Sequence, residues 1–97
     1  MITIRKAELS DIAYIAEGIF RAFLLSDKSL YNRWIRTLKD VCAQEDMHYS
    51  YRNTWIAEVD GVRAGMMIAV NGEHYRVQRD RMYPQLKGLF DVAFGKG

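Results

Sequence analysis

The chain opens with a short alternation of apolar and polar residues. Residues 2–5 read I-T-I-R, and their β-branched members favour an extended chain. Alternate side chains of a strand point to opposite faces of a sheet, so Ile2 and Ile4 are expected to share one face. The sequence therefore predicts that the protein begins with a strand that is apolar on one side.

Two segments with apolar residues three and four positions apart follow this strand. Residues 11–25 and 30–44 both have the spacing of an amphipathic helix. We expect Asp11 to lie near the positive end of the first helix dipole. The expected N-terminal caps are Ser10 for the first helix, and Asp27 or Ser29 for the second.

A hairpin is the clearest signal in the chain. Residues 53–70 read N-T-W-I-A-E-V-D-G-V-R-A-G-M-M-I-A-V. Asp60 and Gly61 separate two β-forming segments, and an Asp-Gly pair tolerates the positive φ angles of a tight turn. In the first strand, Trp55, Ala57 and Val59 should face one way, and Thr54, Ile56 and Glu58 the other.

The second hairpin strand, residues 63–70, is apolar at consecutive positions. Such a pattern predicts a strand covered on both faces. Gly65 interrupts it, which indicates a bulge or a close approach by another element. Further along, residues 75–83 indicate a helix that Pro84 should end or kink, and residues 86–92 form another helical stripe.

These elements predict one domain, residues 1–97, of class α/β (α+β in strict terms). We expect a short, mostly antiparallel three-stranded sheet in the order one, two, three, with two N-terminal helices packed on it and a C-terminal helical segment. Hydrophobic residues make up 49% of the chain, which argues against disorder. The length of 97 residues suits a single small domain, stabilised further by dimerisation or by more chain.

Composition also limits the partners and the cellular location that we expect for the protein. A net charge of +2 suggests neither nucleic acid nor a membrane as a partner. Cys42 is the only cysteine, so no intramolecular disulfide can form. No apolar run has the length of a membrane span, and the N-terminus lacks the apolar block of a signal peptide. The expected location is the cytoplasm.

The order of strand, helix, helix and hairpin resembles the opening half of GNAT-type (GCN5-related) N-acetyltransferases. The matching text is I-T-I-R-K-A-E-L-S-D at the N-terminus, and I-A-E-V-D-G followed by Gly65 in the next strand. The resemblance covers residues 1–70. It implies an acetyl-CoA-dependent N-acetyltransferase acting on an unknown amine.

The chain departs from this family at the cofactor site. The family carries a Gln/Arg-x-x-Gly-x-Gly/Ala turn whose backbone N–H groups bind the pyrophosphate of acetyl-CoA. Nothing in the chain matches this turn, and its nearest glycine-rich text, F-G-K-G at residues 94–97, has a different spacing. We therefore expect no cofactor-binding residues in this chain, no acetyl-CoA binding by it alone, and no activity without a cofactor-binding half.

The resemblance also directs attention to the loop between the first two helices, which helps to shape the acceptor pocket in this family. It implies Phe23, Asp27 and Tyr31 as substrate-binding candidates. Tyr49 and Tyr51 are further aromatic candidates for this pocket. Acetyl transfer needs a base that removes a proton from the ammonium of the acceptor. Glu58 and Glu73 qualify by residue type. A carboxylate on a hairpin or turn is, however, more often a solvated surface charge. The catalytic residues are left unassigned.

Other chemistries have weaker support in the sequence. Cys42 lies on an apolar helix face, which favours a buried structural thiol over a nucleophile. His48 and His74 lack ligands at metal-site spacing, so no metal site is expected. The cluster Arg76, Arg79 and Arg81, with Tyr75 and Tyr83, suits a solvated helix face better than a phosphate-binding site.

Two functional hypotheses lead, and a third, nucleic-acid binding through the arginine cluster, predicts a steep salt dependence. In the family the sheet continues into a fourth strand, so here the last strand presents an apolar edge. We expect a partner at that edge, either a second copy or the cofactor-binding half. The alternative to an acetyltransferase is a non-enzymatic protein-interaction or dimerisation module.

Overall fold

The computed structural model of the chain describes residues 1–23 and 27–93. It contains two short 3-10 turns, at Leu9–Asp11 and Tyr51–Asn53. The longer elements are β1 (Ile2–Lys6), α1 (Ile12–Ala22), α2 (Lys28–Ala43), β2 (Thr54–Val59), β3 (Val62–Ile68) and α3 (Tyr75–Ala93).

The three strands form one antiparallel sheet in the order β1-β2-β3. This confirms the predicted fold class, with two N-terminal helices, a central hairpin and a C-terminal helix. Asp60 and Gly61 form the hairpin turn, with φ angles of 51° and 82°. The register shifts between Ala57 and Glu58, where Gly65 is the last residue paired before the irregularity, so the predicted bulge is present. A Cβ placed on Gly65 meets no atom within 4 Å, so no close approach accompanies it.

The helices cover one face of the sheet, here named the inner face. Ile56 and Thr54 point to this side from β2, and both are fully buried. The core consists of apolar side chains from all three helices and from β2, among them Ile15, Leu38, Val41, Ile56, Leu86 and Leu89.

The opposite side of the sheet, the outer face, carries apolar side chains that remain exposed. The register places Ile2, Ile4, Lys6, Trp55, Ala57, Val59, Val62, Gly65 and Met67 on it. Ile4 is 61% exposed and Met67 is 58% exposed. The prediction that β3 is covered on both faces is therefore wrong for this structure, because its consecutive apolar residues include several that face solvent.

Helix ends differ from the sequence expectation in two places. Ser10 does not cap the first helix; instead Glu8 and Asp11 form a reciprocal capping box around the 3-10 turn, and α1 starts at Ile12. For α2, the carboxylate of Asp27 accepts from the backbone N–H groups of Ser29 and Leu30, which confirms Asp27 as its cap. Residues 24 and 25, predicted to end the first helix, lie outside the described residues.

The C-terminal segment is one helix rather than two. Pro84 lies inside α3 and is exposed. The buried residues Met82, Leu86 and Leu89 lie on both sides of the proline at helical spacing. Packing of this stripe against the core outweighs the loss of one backbone hydrogen bond at the proline.

Candidate functional site

A groove lined by aromatic side chains is the strongest candidate for a binding site. It runs beside α3 and has a volume of about 350 Å³, which falls at the lower end of the range for small-molecule sites. We call it the aromatic groove. Its lining residues are His48, Tyr49, Tyr75, Arg79, Met82, Tyr83, Phe90 and Asp91.

One wall of the aromatic groove comes from α3, because residues four apart share a helix face. Tyr75, Arg79 and Tyr83 follow this spacing, and each is exposed. Met82 and Phe90 lie deeper and join the core. Tyr75, Arg79 and Tyr83 belong to the arginine cluster predicted from the sequence. The helix separates that cluster: Arg81 pairs with Asp46 at 3.2 Å, whereas Arg79 lines the groove.

The other wall comes from the segment between α2 and β2, which Asn53 holds in place. Its side-chain amide donates to the carbonyl oxygens of Met47 and His48, at 2.9 and 3.1 Å, and to Oε1 of Gln78 on α3, at 2.9 Å. The hydroxyl of Thr54 donates to the Ser50 carbonyl at 2.9 Å. These bonds fix His48 and Tyr49 against α3, so the groove has two anchored walls.

Contacts between rings connect the walls. The His48 ring lies 5.1 Å from that of Tyr75 and 5.3 Å from that of Tyr49, in edge-on geometry. Tyr83 and Phe90 have centroids 5.6 Å apart with planes tilted by 34°. Such contacts add stability beyond the apolar area that they bury. They also present aromatic surface to any molecule in the groove.

Two charged side chains complete the lining. The guanidinium of Arg79 lies over the ring of Tyr75, 5.7 Å from its centroid. Asp91 is 23% exposed and its Oδ2 accepts from Nζ of Lys87 at 2.8 Å. Burial, with a smaller contribution from the charge of Arg79, lowers the pKa of His48 below its ordinary value. The guanidinium of Arg79 carries the permanent positive charge of the lining.

Some residues of this groove were predicted from the sequence to have other roles. Tyr49 was proposed for an acceptor pocket, and His48 was weighed as a metal ligand. Asp91, Phe90 and Met82 were missed. The spacing of Tyr75, Arg79 and Tyr83 was the available signal, but the expected break at Pro84 concealed that α3 continues to Asp91.

The three substrate-binding candidates named from the family resemblance do not line the aromatic groove. Phe23 packs edge-on against Phe90, with centroids 5.8 Å apart. The carboxylate of Asp27 caps α2. The hydroxyl of Tyr31 donates to Glu17, and this hydrogen bond raises the pKa of Tyr31. The structure therefore places all three at or near the junction of α1 and α2, with structural contacts for each.

A second polar cluster lies on the inner face of the sheet and centres on Asp11. This side chain is fully buried. Arg5 donates to both carboxylate oxygens, at 2.8 and 2.9 Å, and Nε of Arg63 donates to Oδ1 at 2.7 Å. The backbone N–H of Glu8 donates to Oδ2 at 2.7 Å. The Arg5 guanidinium is the main cause that holds the pKa of Asp11 well below its usual range.

This cluster connects the sheet to the start of α1. It also includes Glu58, one of the two carboxylates proposed as a base. Arg5 also donates to Oε2 of Glu58 at 3.1 Å, so Glu58 is a half-buried ion-pair partner rather than a solvated charge. Glu73 is exposed beside the turn before α3. With both oxygens of Asp11 occupied by donors, the geometry indicates a structural role for this cluster.

The remaining candidates have structural environments. Cys42 is fully buried, and burial raises the pKa of its thiol to about 12. The thiol therefore stays protonated at neutral pH, as in a structural cysteine. Tyr51 is half-buried against the core. Among residues 1–23 and 27–93, no cluster of three or more His, Cys, Asp or Glu side chains is arranged to hold a metal ion.

Two further findings concern the chain as a whole. None of the helices within the described residues has both the length and the apolar character needed to cross a membrane. Comparison of the chain with known proteins gave no match to a family model, a curated protein or a solved structure.

Proposed function

We propose that this chain is the amine-binding side of a GNAT-type, acetyl-CoA-dependent N-acetyltransferase that works with a separate cofactor-binding segment. The observation that carries the proposal is the sheet, which packs on helices at its inner face and leaves apolar residues exposed on its outer face. The order of strand, two helices and hairpin supports the family resemblance stated from the sequence.

The edge of the sheet supports the same proposal. Within residues 1–23 and 27–93, β3 pairs with β2 alone. A strand edge with free backbone groups is a template for another strand. In the family resemblance, this is the edge where a fourth, cofactor-binding strand would pair. An incoming segment that adds a strand to β3 would also reach the outer face.

The thickness of the molecule corresponds to two layers. Its shortest principal extent is 19 Å, which is close to one helix layer plus one sheet layer of about 10 Å each. An antiparallel sheet commonly has one face packed and the other in water, but here the water-facing side carries exposed apolar side chains such as Ile4 and Met67. Covering the outer face would bury Ile4, Trp55 and Met67. Burial of these apolar side chains would favour binding of a cofactor segment.

Acetyl-CoA binding tests the proposal. We expect acetyl-CoA to leave the melting temperature of the 97-residue chain unchanged. The test then adds a separate segment that carries a strand and the missing glycine turn. The combined protein should then gain about 2.7 kcal/mol of stability when acetyl-CoA is present at a hundred times its dissociation constant.

A matched pair of variants locates the docking surface. Met67→Asp places a charge on the outer face and should prevent assembly with the cofactor segment. Val77→Asp makes the same change at a comparably exposed apolar residue of α3, 55% exposed, and should not. The proposal fails if the combined protein does not bind acetyl-CoA, or if both variants assemble equally.

A dimerisation module is the second candidate function, and the outer face is the observation that favours it. Ala57 and Gly65 pair at its centre and leave a recess beside Ile4, Trp55 and Met67. A surface with both projections and a recess can pair with a copy of itself. Light scattering distinguishes the candidates: a concentration-dependent dimer abolished by Met67→Asp supports the module, and a monomer at high concentration contradicts it.

A further inference from the structure

His48 is a titratable side chain at the contact between its own segment and the start of α3. Its ring is half-buried and lies edge-on, 5.1 Å from the Tyr75 ring and 5.3 Å from the Tyr49 ring. The side-chain amide of Asn53 donates to the His48 carbonyl at 3.1 Å and to Gln78 on α3 at 2.9 Å. The imidazole therefore lies in the interface that joins the two walls of the aromatic groove.

Among the described residues, few contacts hold the first two turns of α3. Residues 75–81 include no buried side chain, whereas the buried stripe of α3 begins at Met82. Besides the contacts of Tyr75 and Gln78, an ion pair of Arg81 with Asp46 joins these turns to the segment before β2. That pair is exposed, so it contributes little stability. A part of a helix with so few buried contacts opens locally before the rest of the protein unfolds.

The charges around His48 do not favour a second positive charge at this contact. Arg79, on α3, lies over the ring of Tyr75, 5.7 Å from its centroid, and lines the same groove as His48. Within residues 1–23 and 27–93, no ion pair joins His48 to a carboxylate. The carboxylates of the groove and of the segment around His48 pair with other cations: Asp91 with Lys87, Asp46 with Arg81, and Glu45 with Arg52. The phenols of the groove, Tyr49, Tyr75 and Tyr83, stay uncharged below about pH 9.

Burial and the charge of Arg79 both favour the neutral imidazole in the closed contact. Together they lower the pKa of His48 below its ordinary value, and burial is the larger cause. When the first turns of α3 open, the ring gains water and its pKa returns toward about 6.5. The open form then binds the proton more readily than the closed form does. The closed contact is therefore fully favoured above about pH 6.5 and loses stability as the pH falls below that value.

We propose that the contact of His48 with the first two turns of α3 is a pH-sensitive latch, which protonation of the imidazole opens in mildly acidic solution. Opening separates the two walls of the aromatic groove and adds a second cation beside Arg79. The rest of α3 stays docked through Met82 and the buried residues that follow it. This response needs only the 97-residue chain, so it goes beyond the proposed acetyltransferase function and is independent of it.

Hydrogen exchange of the 97-residue chain, followed by NMR between about pH 7.5 and about pH 5, tests the latch. Carboxylates with ordinary pKa values stay largely ionised in this range. After correction for the intrinsic pH dependence of exchange, protection of the amides of residues 79–81 should fall about three-fold to ten-fold, and that of β2 should not change. The His48 ring should titrate below about pH 6.5. Constant protection of residues 79–81, or a His48 titration at or above that value, would overturn the proposal.

The chain offers a matched pair of variants, because it contains two histidines. His48→Phe keeps an aromatic ring in the contact but cannot be protonated, so it should abolish the acid loss of protection. His74→Phe makes the same change at an exposed residue before α3 and should leave that loss as in the natural protein. A loss that persists in His48→Phe, or that disappears in His74→Phe, would overturn the proposal.

The charge beside the latch has its own variant. Arg79→Gln removes the guanidinium that opposes protonation of His48 and should reduce the acid loss of protection about two-fold, since burial of the ring remains. Because Arg79 is exposed, this variant should fold even if His48→Phe does not. An unchanged loss in Arg79→Gln would also overturn the proposal.

Discussion

The outer face of the sheet carries more apolar side chains than the inner face, although it is the inner face that the helices cover. On the inner face, Ile56 is fully buried under the helices. On the outer face, Ile4 lies on the neighbouring strand and is 61% exposed. Hydrophobic pattern alone assigns both to a core, so the difference shows that the arrangement of the helices decides which apolar residues stabilise the monomer.

Charged side chains are also distributed unequally between the two faces. The inner face contains the fully buried carboxylate of Asp11 with Arg5 and Arg63. The outer face has Lys6 as its charged member, and its ammonium lies over the ring of Trp55, 4.9 Å from the centroid. We propose that the inner face serves stability and that the outer face binds a partner, and the substitutions below test this division.

The largest contrast is expected between Ile56→Ala and Ile4→Ala. Removing the buried side chain of Ile56 leaves a cavity in the core and should cost about 4 kcal/mol of unfolding free energy. The same change at Ile4 should cost less than about 0.5 kcal/mol, because its side chain is already in solvent. Urea denaturation of dilute protein measures both. Similar losses would show that the outer face is covered in solution.

Asp11→Asn should produce the next largest effect. N–H donors surround both oxygens of Asp11, so either orientation of an amide places its NH2 against a donor. The variant also leaves Arg5 and Arg63 without their shared counter-ion. We expect a loss of about 3 kcal/mol. Asp80→Asn, in an exposed pair with Arg79, is the control and should change stability by less than about 0.5 kcal/mol.

The same residue makes stability depend on pH. The pKa of Asp11 is lower in the folded protein than in the unfolded chain, where an ordinary Asp has a value of about 3.9. Its stabilising contribution is therefore complete above about pH 4 and is lost as the pH falls below that value. Denaturation at a series of pH values should show a steeper acid loss for the natural protein than for Asp11→Asn, and parallel curves would contradict the assigned ion pairs.

Sequence reasoning succeeded where the cause of a structure is local. Asp60 and Gly61 suit a tight turn by their own backbone preferences, and Asp27 caps α2 through the next few N–H groups. The alternation in β2 correctly assigned Ile56 to one face and Trp55 to the other. In each case the interacting groups lie within a few residues of one another.

Prediction from the sequence failed where the structure depends on residues that are distant in the chain. Asp11 was expected to interact with a helix dipole, but sheet pairing brings Arg63 to it from 52 positions away. Pro84 was expected to break α3, but packing of a stripe on both sides of the proline keeps the helix continuous. The aromatic groove depends on both effects, since it needs the full length of α3 and the anchored segment at His48.

The smallest effects, which are opposite in sign, should come from two glycines in these contrasting regions. At Gly65, on the outer face, an added Cβ meets nothing within 4 Å, so Gly65→Ala should stabilise the protein by about 0.5 kcal/mol through the unfolded chain. At Gly88, in α3, an added Cβ lies 2.8 Å from the ring of Trp34. Displacing that rigid ring should outweigh the helix-propensity gain and give a net loss of about 1 kcal/mol. Thermal denaturation of both variants measures the pair. Stabilisation by Gly88→Ala would show that α3 packs more loosely on α2 than the structure indicates, whereas destabilisation by Gly65→Ala would show that another surface presses on the centre of the outer face.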